Sequence, residues 1–305
     1  MILNTKDEKG IQDFIKKVNI PKEKSHKGQN GRVMVIGGSS LFHAASIWAA
    51  EVSSYFVDIV HYSSTKENNE IFLSLKKRFI NGIIIPHKEL INYVQEDDSI
   101  LIGPGMLRGE ITNYALRITD FNDLLNIKDE AVYTYFLTKY LIEKFPEKKF
   151  VFDAGALQMM KKEWLLKMKI SPVITPHQQE FEKLFGISVI DKDEKEKIKI
   201  VQEMALKYKV VILLKAIDDF VSDGKNNYII KGGNRGLTKG GTGDVLAGLT
   251  LSFFAKNTGL VSAVLASLVL KRTSDKLFNK FGYWYNIDTL TKQIPLTFKE
   301  MIIDL

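Results

Sequence analysis

Short apolar runs rich in β-branched residues alternate along the chain with longer segments whose apolar positions recur at helical spacing. The first such pair is residues 32–36 followed by residues 44–56. Alternation of this kind is typical of βαβ units, in which helices connect parallel strands. The same pattern predicts further strands over 58–61, 80–85, 99–102, 149–152, 172–174 and 210–214, and further helices over 88–95, 132–145, 177–185 and 194–208. A largely parallel sheet covered by helices follows.

Two segments depart from this alternation. Residues 220–222 and 227–231 flank a turn that contains Asp-Gly, which predicts a β-hairpin leading into a glycine-rich stretch. Residues 107–131 are polar and poorly periodic, so we interpret them as an inserted or mobile connection. Because no repeat, low-complexity tract or linker divides the chain, we predict one domain over 25–305, preceded by an N-terminal extension over 1–24.

Composition narrows the classes of function. The 305 residues are 45% hydrophobic, enough for a sizeable core, and include no Cys, which excludes disulfides, thiol nucleophiles, cysteine zinc sites and iron–sulfur clusters. The opening residues do not form a secretory signal, and the apolar runs fall well short of the roughly 20 residues of a membrane span. We therefore expect a cytoplasmic protein that does not associate with membranes.

The charge pattern favours small acidic ligands over nucleic acid. The 43 Lys and Arg residues exceed the 36 Asp and Glu residues, giving a formal net charge of +7, but basic and acidic residues are interleaved rather than separated. The five His residues lack metal-ligand spacing, and no G-x-S-x-G segment is present. We expect no dedicated metal site formed by the protein alone.

The strongest chemical signal is a glycine cluster that runs into an apolar, helix-like segment at 240–248. Gly240, Gly241 and Gly243 permit a close backbone turn, and the amides at a helix N-terminus attract anions such as phosphate. The segment is not a Walker loop, because Lys239 precedes the glycines instead of following them. A flexible turn with a helix cap is the alternative interpretation.

Asp244 follows this loop directly. A bound hydroxyl could transfer its proton to this carboxylate, or the side chain could merely cap the helix. A carboxylate at a helix N-terminus is expected to stay ionised, which would make it a weak base that mainly positions a hydroxyl.

These residues carry a resemblance to the ADP-dependent NAD(P)H-hydrate dehydratases, a carbohydrate-kinase-related family of the ribokinase-like superfamily. The similarity spans about residues 25 to 295. Its motifs are His26-Lys27-Gly28 with Gly31 and Gly37-Gly38-Ser39, Ile102-Gly103-Pro104-Gly105, Phe152-Asp153-Ala154-Gly155-Ala156-Leu157, Thr175-Pro176-His177-Gln178-Gln179-Glu180-Phe181, Leu213-Leu214-Lys215, and Gly240-Gly241-Thr242-Gly243-Asp244-Val245-Leu246-Ala247-Gly248.

The resemblance implies a three-layer α/β/α sandwich and ADP-dependent dehydration of the S form of NAD(P)H hydrate to NAD(P)H, with AMP and phosphate as products. It implies ADP or ATP as phosphoryl donor, together with Mg²⁺. Members of the family often carry an N-terminal epimerase domain, for which this chain is too short, so we expect a functional partnership with a separate epimerase. We also expect a homo-oligomer.

The resemblance assigns roles to individual positions. The residues implied to line the hydrate site are Ala45, Gly105, His177 and Asp244, with Asp244 as the catalytic residue. The residues implied to contact the nucleotide are Lys215, Ala216, Ile217, Asp218, Asp219, Gly240, Gly241, Thr242 and Gly243. His177 could alternatively cap a helix. Asp153 could hold a magnesium-bound water or cap the helix that follows.

The chain departs from the family pattern at three places. Ala216 replaces the usual glycine after the lysine of the 213–215 motif, Ala44-Ala45 replaces Gly-Ala, and residues 270–275 replace a histidine-containing segment. We expect different contacts on the adenine side. The aromatic segment 281–285 could stack on a base, or could pack a helix end or an oligomer contact.

Two other functions remain alternatives. One is an ATP-dependent small-molecule kinase of the same superfamily, which the 175–181 motif disfavours. The other is a nucleotide-binding module without turnover, which the presence of Asp244 disfavours.

Overall fold

A ten-stranded sheet runs through the computed structural model, which describes residues 1–77, 79–111 and 118–304. The order across the sheet is β1-β10-β9-β8-β7-β6-β5-β2-β3-β4, and every neighbouring pair is parallel except the two that involve β9. The strands are β1 (Ile2–Asn4), β2 (Arg32–Ile36), β3 (Ile59–Ser63), β4 (Gly82–Ile84), β5 (Ser99–Ile102), β6 (Lys149–Phe152), β7 (Val173–Ile174), β8 (Val211–Leu214), β9 (Asp219–Ser222) and β10 (Asn227–Lys231). The predicted parallel sheet is confirmed.

Helices cover both faces of the sheet. Those of the described residues are α1 (Glu8–Ile15), α2 (Ala44–Ser53), α3 (Lys66–Ser74), α4 (Leu90–Glu96), α5 (Phe121–Leu125), α6 (Glu130–Lys144), α7 (Ala154–Met159), α8 (Gln178–Phe185), α9 (Glu194–Tyr208), α10 (Thr242–Lys256), α11 (Gly259–Phe281) and α12 (Ile287–Ile302). One hydrophobic core contains buried residues of α1–α3 and α10–α12, and the other contains those of α4–α9. Within the described ranges, no helix has the length and apolarity to cross a bilayer.

Strand β2 shows why the sheet has two cores. Val33 and Val35 belong to the core beneath α10 and α11, whereas Met34 belongs to the core on the opposite face. Successive side chains of a strand point to opposite faces, so a fully apolar strand must be covered twice. The predicted three-layer α/β/α sandwich is confirmed, as is the hairpin of β9 and β10.

Two sequence interpretations require correction. The connection predicted over 107–131 contains α5, whose N-terminus is closed by a capping box between Asp120 and Asp123, and Phe121 is buried. Residues 112–117 of that connection lie outside the described residues. The predicted extension over 1–24 contributes β1, which pairs in parallel with β10. Leu3 of this strand is fully buried in the core. Residue 25 is therefore not a boundary of the sheet.

The carboxyl ends of the central strands gather the residues of interest. Gly37, Gly103, Asp153 and Lys215 directly follow β2, β5, β6 and β8. After β4 the chain returns across β2 to form β5, so strand order reverses between β2 and β5. Open α/β sheets bind ligands at such a switch point, outside the carboxyl ends of their strands.

Candidate active site

The glycine loop ends where α10 begins. Gly241 adopts a φ of 102° at the helix N-cap, and a Cβ there would lie 2.6 Å from the Trp48 ring. Thr242 donates its hydroxyl to the carbonyls of Leu237 at 2.7 Å and Lys239 at 3.0 Å. The Thr242 side chain therefore fixes the loop, and the amides of the first turn of α10 supply the anion-binding capacity.

An ion pair between Lys215 and Asp153 lies beside this loop. Lys215 Nζ is 2.8 Å from Asp153 Oδ1, and Thr175 donates its hydroxyl to the same oxygen at 2.8 Å. A Cβ on Gly243 would lie 3.5 Å from Lys215 Nζ, so the loop and the ion pair adjoin. Burial alone would lower the pKa of Lys215, but the carboxylates of Asp153 and Glu180 raise it above its ordinary value. Lys215 therefore remains a cation beneath the anion-binding loop.

Asp244 projects toward the same ion pair. Burial, followed by the negative charge of Asp153, raises the pKa of Asp244 from 3.8 to about 7, although Lys215 opposes the shift. The expectation that Asp244 stays ionised is therefore wrong. That expectation considered only the favourable interaction of a carboxylate with the helix N-terminus. Burial beside a second carboxylate has the larger effect on the pKa of Asp244.

His177 forms the N-cap of α8 and borders the ion pair. Its backbone amide donates to Glu180 Oε2 at 2.9 Å, and its Nδ1 accepts from the Glu180 amide at 3.2 Å. The backbone of His177 also pairs with Lys215 in a parallel bridge. The imidazole is 47% exposed, so it caps the helix and remains accessible to a ligand. The helix-cap alternative is thus observed, and Nε2 of the same ring lies 3.5 Å from Glu180 Oε1.

Ala45 and Gly105 lie together at the adjoining strand ends. A Cβ on Gly105 would lie 3.1 Å from the Ala45 Cβ. The turn that contains Gly105 also reaches the ion pair, since a Cβ on Gly103 would lie only 1.8 Å from the Asp153 carbonyl oxygen. Gly103 has a φ of 125°, so this close approach requires glycine. The turn connects the two groups of predicted hydrate-site residues.

The predicted nucleotide loop at 215–219 is held from below. Asp219 Oδ1 accepts from the Ala216 amide at 3.1 Å, and Asp219 Oδ2 accepts from Ser267 at 2.7 Å. Lys271 donates to the Ile217 carbonyl at 2.6 Å and lies 3.7 Å from Asp219 Oδ1. Burial raises the pKa of Asp219, and Lys271 counteracts it. The Asp219 carboxylate thus interacts with Ser267 and Lys271 of α11.

Ile217 and Asp218 of this loop lie nearer the surface than Asp219. Ile217 is 94% exposed, and Asp218 lies 3.7 Å from Lys231 Nζ. The sequence interpretation missed Lys271, although it noted that residues 270–275 depart from the family pattern. Lys271 holds in place the loop in which Ala216 replaces glycine, because it donates to the Ile217 carbonyl. The departure of residues 270–275 from the family pattern was the sequence signal that could have identified this lysine.

The aromatic segment 281–285 is divided between two environments. Tyr285 is buried and its hydroxyl lies 2.7 Å from Ser274 Oγ, whereas Trp284 is 84% exposed. Tyr285 therefore packs the helix end, as one of the two interpretations held. Lys239 from the glycine-rich segment lies over the Tyr285 ring, 5.0 Å from its centroid.

Two further features delimit the site. Within the described ranges, no group of three or more His, Asp or Glu side chains is arranged to hold a metal ion. A cavity of about 720 Å³ lies near the carboxyl end of α10, where Phe56, Phe253 and Phe298 line it. It is at the opposite end of that helix from Asp244 and includes none of the predicted site residues.

Comparison with known proteins agrees with this geometry. The family model described as NAD(P)H-hydrate dehydratase matches residues 33–296. A bifunctional NAD(P)H-hydrate repair enzyme of Methanocaldococcus jannaschii is 32% identical over 94% of this chain, which spans 55% of that protein. An ADP-dependent (S)-NAD(P)H-hydrate dehydratase of Nitrosopumilus maritimus is 30% identical, with 85% of each chain covered.

A solved structure supports the fold. A ribokinase-like superfamily protein of Enterococcus faecalis superposes with a TM-score of 0.76 at 21% identity, covering 95% of this chain and 94% of that one. This likeness shows that the three layers form a ribokinase-like fold.

Proposed function

We propose that this chain, which belongs to the NAD(P)H-hydrate dehydratase family, catalyses the ADP-dependent dehydration of (S)-NAD(P)H hydrate to NAD(P)H. The observation that carries the proposal is the position of Asp244 in the first turn of α10, next to the point where the glycine loop meets Lys215. Burial there raises the pKa of Asp244 to about 7. A carboxylate of raised pKa beside a phosphate site suits transfer of a phosphoryl group to a hydroxyl.

The proposal divides the site into two sides. Ala45, Gly105 and His177 would contact the hydrate. Ala45 and Gly105 are small residues, and the imidazole of His177 is accessible. Lys215 and the 240–243 loop would hold the terminal phosphates of the nucleotide. Asp244 would lie where the two sides meet, with its carboxylate directed at the hydroxyl that receives the phosphoryl group.

The chemistry explains why a dehydratase would consume ADP. The hydrate carries its hydroxyl on the ring carbon next to N1, and hydroxide is a poor leaving group. Transfer of the terminal phosphoryl group of ADP to this oxygen releases AMP, while Asp244 takes the hydroxyl proton. The ring nitrogen lone pair then expels phosphate, and loss of a proton from the neighbouring ring carbon restores the dihydronicotinamide. The products are NAD(P)H, AMP, phosphate and one proton.

The protein groups contribute mainly charge and position. The amides of the 240–244 segment and the Lys215 ammonium would neutralise the phosphoryl group as negative charge redistributes during transfer. Because Asp244 is a stronger base than an ordinary aspartate, it would accept a proton as well as orient the hydroxyl.

Mg²⁺ is the further cofactor we propose. Mg²⁺ retains several waters and is commonly held by substrate phosphates with one or two carboxylates, so the absence of a three-ligand cluster among the described residues is compatible with it. When bound, Mg²⁺ would neutralise charge on the nucleotide phosphates. Asp153, buried at the strand end and already paired with Lys215, would contact the ion through water.

The deciding assay incubates the purified chain with separated epimers of NADH hydrate or NADPH hydrate, plus ADP or ATP, and follows dihydronicotinamide absorbance. Recovery of absorbance with the S epimer and matching release of AMP from ADP would support the proposal. A stable phosphorylated product without recovery would indicate a small-molecule kinase, and nucleotide binding without turnover would indicate a binding module.

Three companion proposals accompany the activity. With one hydroxyl acceptor in the site, only the S epimer should react, so a separate epimerase would supply it from the R epimer. Assembly as a homo-oligomer is checked by sedimentation of the purified chain. A cytoplasmic location is checked by fractionation of cells that express it.

A further inference from the structure

Glu180 is a buried carboxylate that contacts both sides of the proposed site. Its residue is only 5% exposed. Oε1 accepts from Gln158 Nε2 at 2.9 Å and lies 3.5 Å from His177 Nε2. Oε2 accepts from the His177 amide at 2.9 Å and lies 4.0 Å from Lys215 Nζ. One side chain therefore joins the imidazole on the hydrate side to the ammonium on the phosphate side.

Helix capping alone does not explain this arrangement. Another capping box lies at the start of α9, where the Asp193 amide donates to Glu196 Oε2 at 3.3 Å and the Glu196 amide donates to Asp193 Oδ1 at 2.8 Å. The Glu196 side chain is 55% exposed, so the same cap forms without burying a charge. Burial of a carboxylate is costly unless partners compensate it, and Glu180 is compensated by site residues.

We infer that Glu180 is a positioning residue of the proposed reaction, which orients His177 toward the hydrate and holds Lys215 within the Asp153–Lys215–Asp244 cluster. The inference rests on the proposed function for its effect on turnover. Its effect on the cluster is a property of the folded chain and can be measured without any turnover.

The charges that face Asp244 fix the sign of that effect. They are Asp153 from the end of β6, Glu180 from α8 and Lys215 from the end of β8, together with the Asp244 amide. The two carboxylates raise the pKa of Asp244, whereas Lys215 and the amide lower it. Removing the Glu180 charge should therefore move the titration of Asp244 to lower pH.

The test compares Glu180→Gln with Glu196→Gln. Glutamine retains a capping box, so both variants should keep the wild-type melting temperature. In Glu180→Gln we expect kcat/KM for the hydrate to fall about 10- to 100-fold, as for other residues that orient a ligand-contacting group. We expect the acidic limb of its pH profile to shift to lower pH, and ADP affinity to change little because Asp153 still holds Lys215. Glu196→Gln should match the wild type throughout.

A spectroscopic readout separates this inference from the proposed function. Carbon NMR of Asp-labelled protein, with the Asp244 signal assigned by Asp244→Asn, should show Asp244 titrating at lower pH in Glu180→Gln even if the wild type dehydrates nothing. Glu180→Asp, which keeps the charge but shortens its reach, should weaken hydrate binding with a smaller shift of the titration. Unchanged Asp244 titration and unchanged hydrate kinetics in Glu180→Gln would reduce Glu180 to a helix cap.

Discussion

Lys215 Nζ lies 2.8 Å from Asp153 Oδ1, and this ion pair spans the carboxyl end of β7 to connect β6 with β8. Thr175, at the end of β7, donates to the same Asp153 oxygen and completes the bridge. The single ammonium faces three carboxylates, since Glu180 and Asp244 also interact with it. The charge balance of the site therefore depends on Lys215.

Lys215→Met tests that dependence. Loss of the ammonium leaves Asp153 buried without its cation, which typically destabilises a protein by about 3–5 kcal/mol. The pKa of Asp244 should rise further, because Lys215 is the side chain that lowers it, and ADP affinity should fall. Denaturant unfolding and calorimetry measure these effects.

The double variant Lys215→Met/Asp153→Asn is the control for stability. It removes both members of the ion pair, so stability should largely return while ADP affinity stays low. Wild-type ADP affinity in the single variant would show that Lys215 does not hold the nucleotide.

Three glycines of one loop should respond differently to alanine. Gly243→Ala places a methyl group 3.5 Å from Lys215 Nζ, within the space proposed for phosphate, so ADP affinity should fall with little loss of stability. Gly241→Ala should destabilise the fold, because φ is 102° and the methyl group would meet Trp48 at 2.6 Å. At Gly240 a Cβ would meet nothing within 4 Å.

Gly240→Ala is therefore the control for stability, which should stay near that of the wild type. Thermal melting of the three variants and ADP titration of Gly243→Ala check these expectations. Wild-type ADP affinity in Gly243→Ala would place the phosphate elsewhere.

The periodicity of the sequence was sufficient for the sheet except for the edge strand β1. Strand β2 was predicted at its observed bounds because Val33 and Val35 alternate with Met34 over two cores. Strand β1 was missed because it has three residues, and its burial comes from pairing with β10, a contact more than 220 residues away in sequence. Long-range pairing leaves no local pattern.

The candidate site was likewise predictable where it depends on local sequence and not where it depends on long-range contacts. The turn at Gly241 and the start of α10 could be located from glycine spacing, because backbone conformation is encoded locally. The pKa of Asp244 could not, since it depends on Asp153 and Lys215, which precede it by many residues and meet it only through the fold. Lys271 was missed for a related reason: a lysine within an apolar helix has no evident partner until Asp219 is placed beside it.

The buried pair of Lys271 and Asp219 should support the nucleotide loop. Lys271→Met removes the donor to the Ile217 carbonyl and leaves Asp219 without its cation, so stability should fall by about 2–4 kcal/mol. Asp219→Asn in the Lys271→Met background should recover part of this loss, because the amide can still bond Ser267. Urea unfolding of the single and double variants measures the coupling. Additive losses would mean that the two side chains act independently.

His177 should affect the hydrate more than the nucleotide. His177→Ala removes both the cap of α8 and the exposed imidazole, whereas His177→Asn keeps a capping side chain. We expect both variants to raise KM for the hydrate and to leave ADP affinity nearly unchanged, with stability reduced only in His177→Ala. Kinetics, calorimetry and thermal melting separate these effects. A loss confined to ADP binding would reverse our assignment of the two sides.

The pH dependence of the wild type should reflect Asp244. Because its pKa is about 7 in the folded protein, kcat/KM should increase with pH and level off above neutrality as the base becomes ionised. The folded state holds this proton more tightly than the unfolded chain, where an aspartate has its ordinary pKa near 3.8. The contribution of Asp244 to stability should therefore decline as pH rises from about 4 to 7. Activity and stability should change in opposite directions over this interval.

Asp244→Asn separates catalysis from capping in one variant. Gly241, not Asp244, is the N-cap of α10. If Asp244 merely supports the first turn of that helix, Asn replaces it well, and turnover should be nearly unchanged. If Asp244 accepts the hydroxyl proton, turnover should fall roughly 10²–10⁴-fold, with ADP affinity little altered. The variant should also be more stable than the wild type at pH 7 but equal to it near pH 4. Asparagine replaces a buried carboxylate that stays protonated in the folded wild type near pH 4 and ionises only at higher pH. Asp288→Asn, in the first turn of α12, is the matched control and should leave turnover unchanged. Near-normal turnover in Asp244→Asn would exclude Asp244 as the base, and the proton acceptor would have to be sought among the other groups at the strand ends.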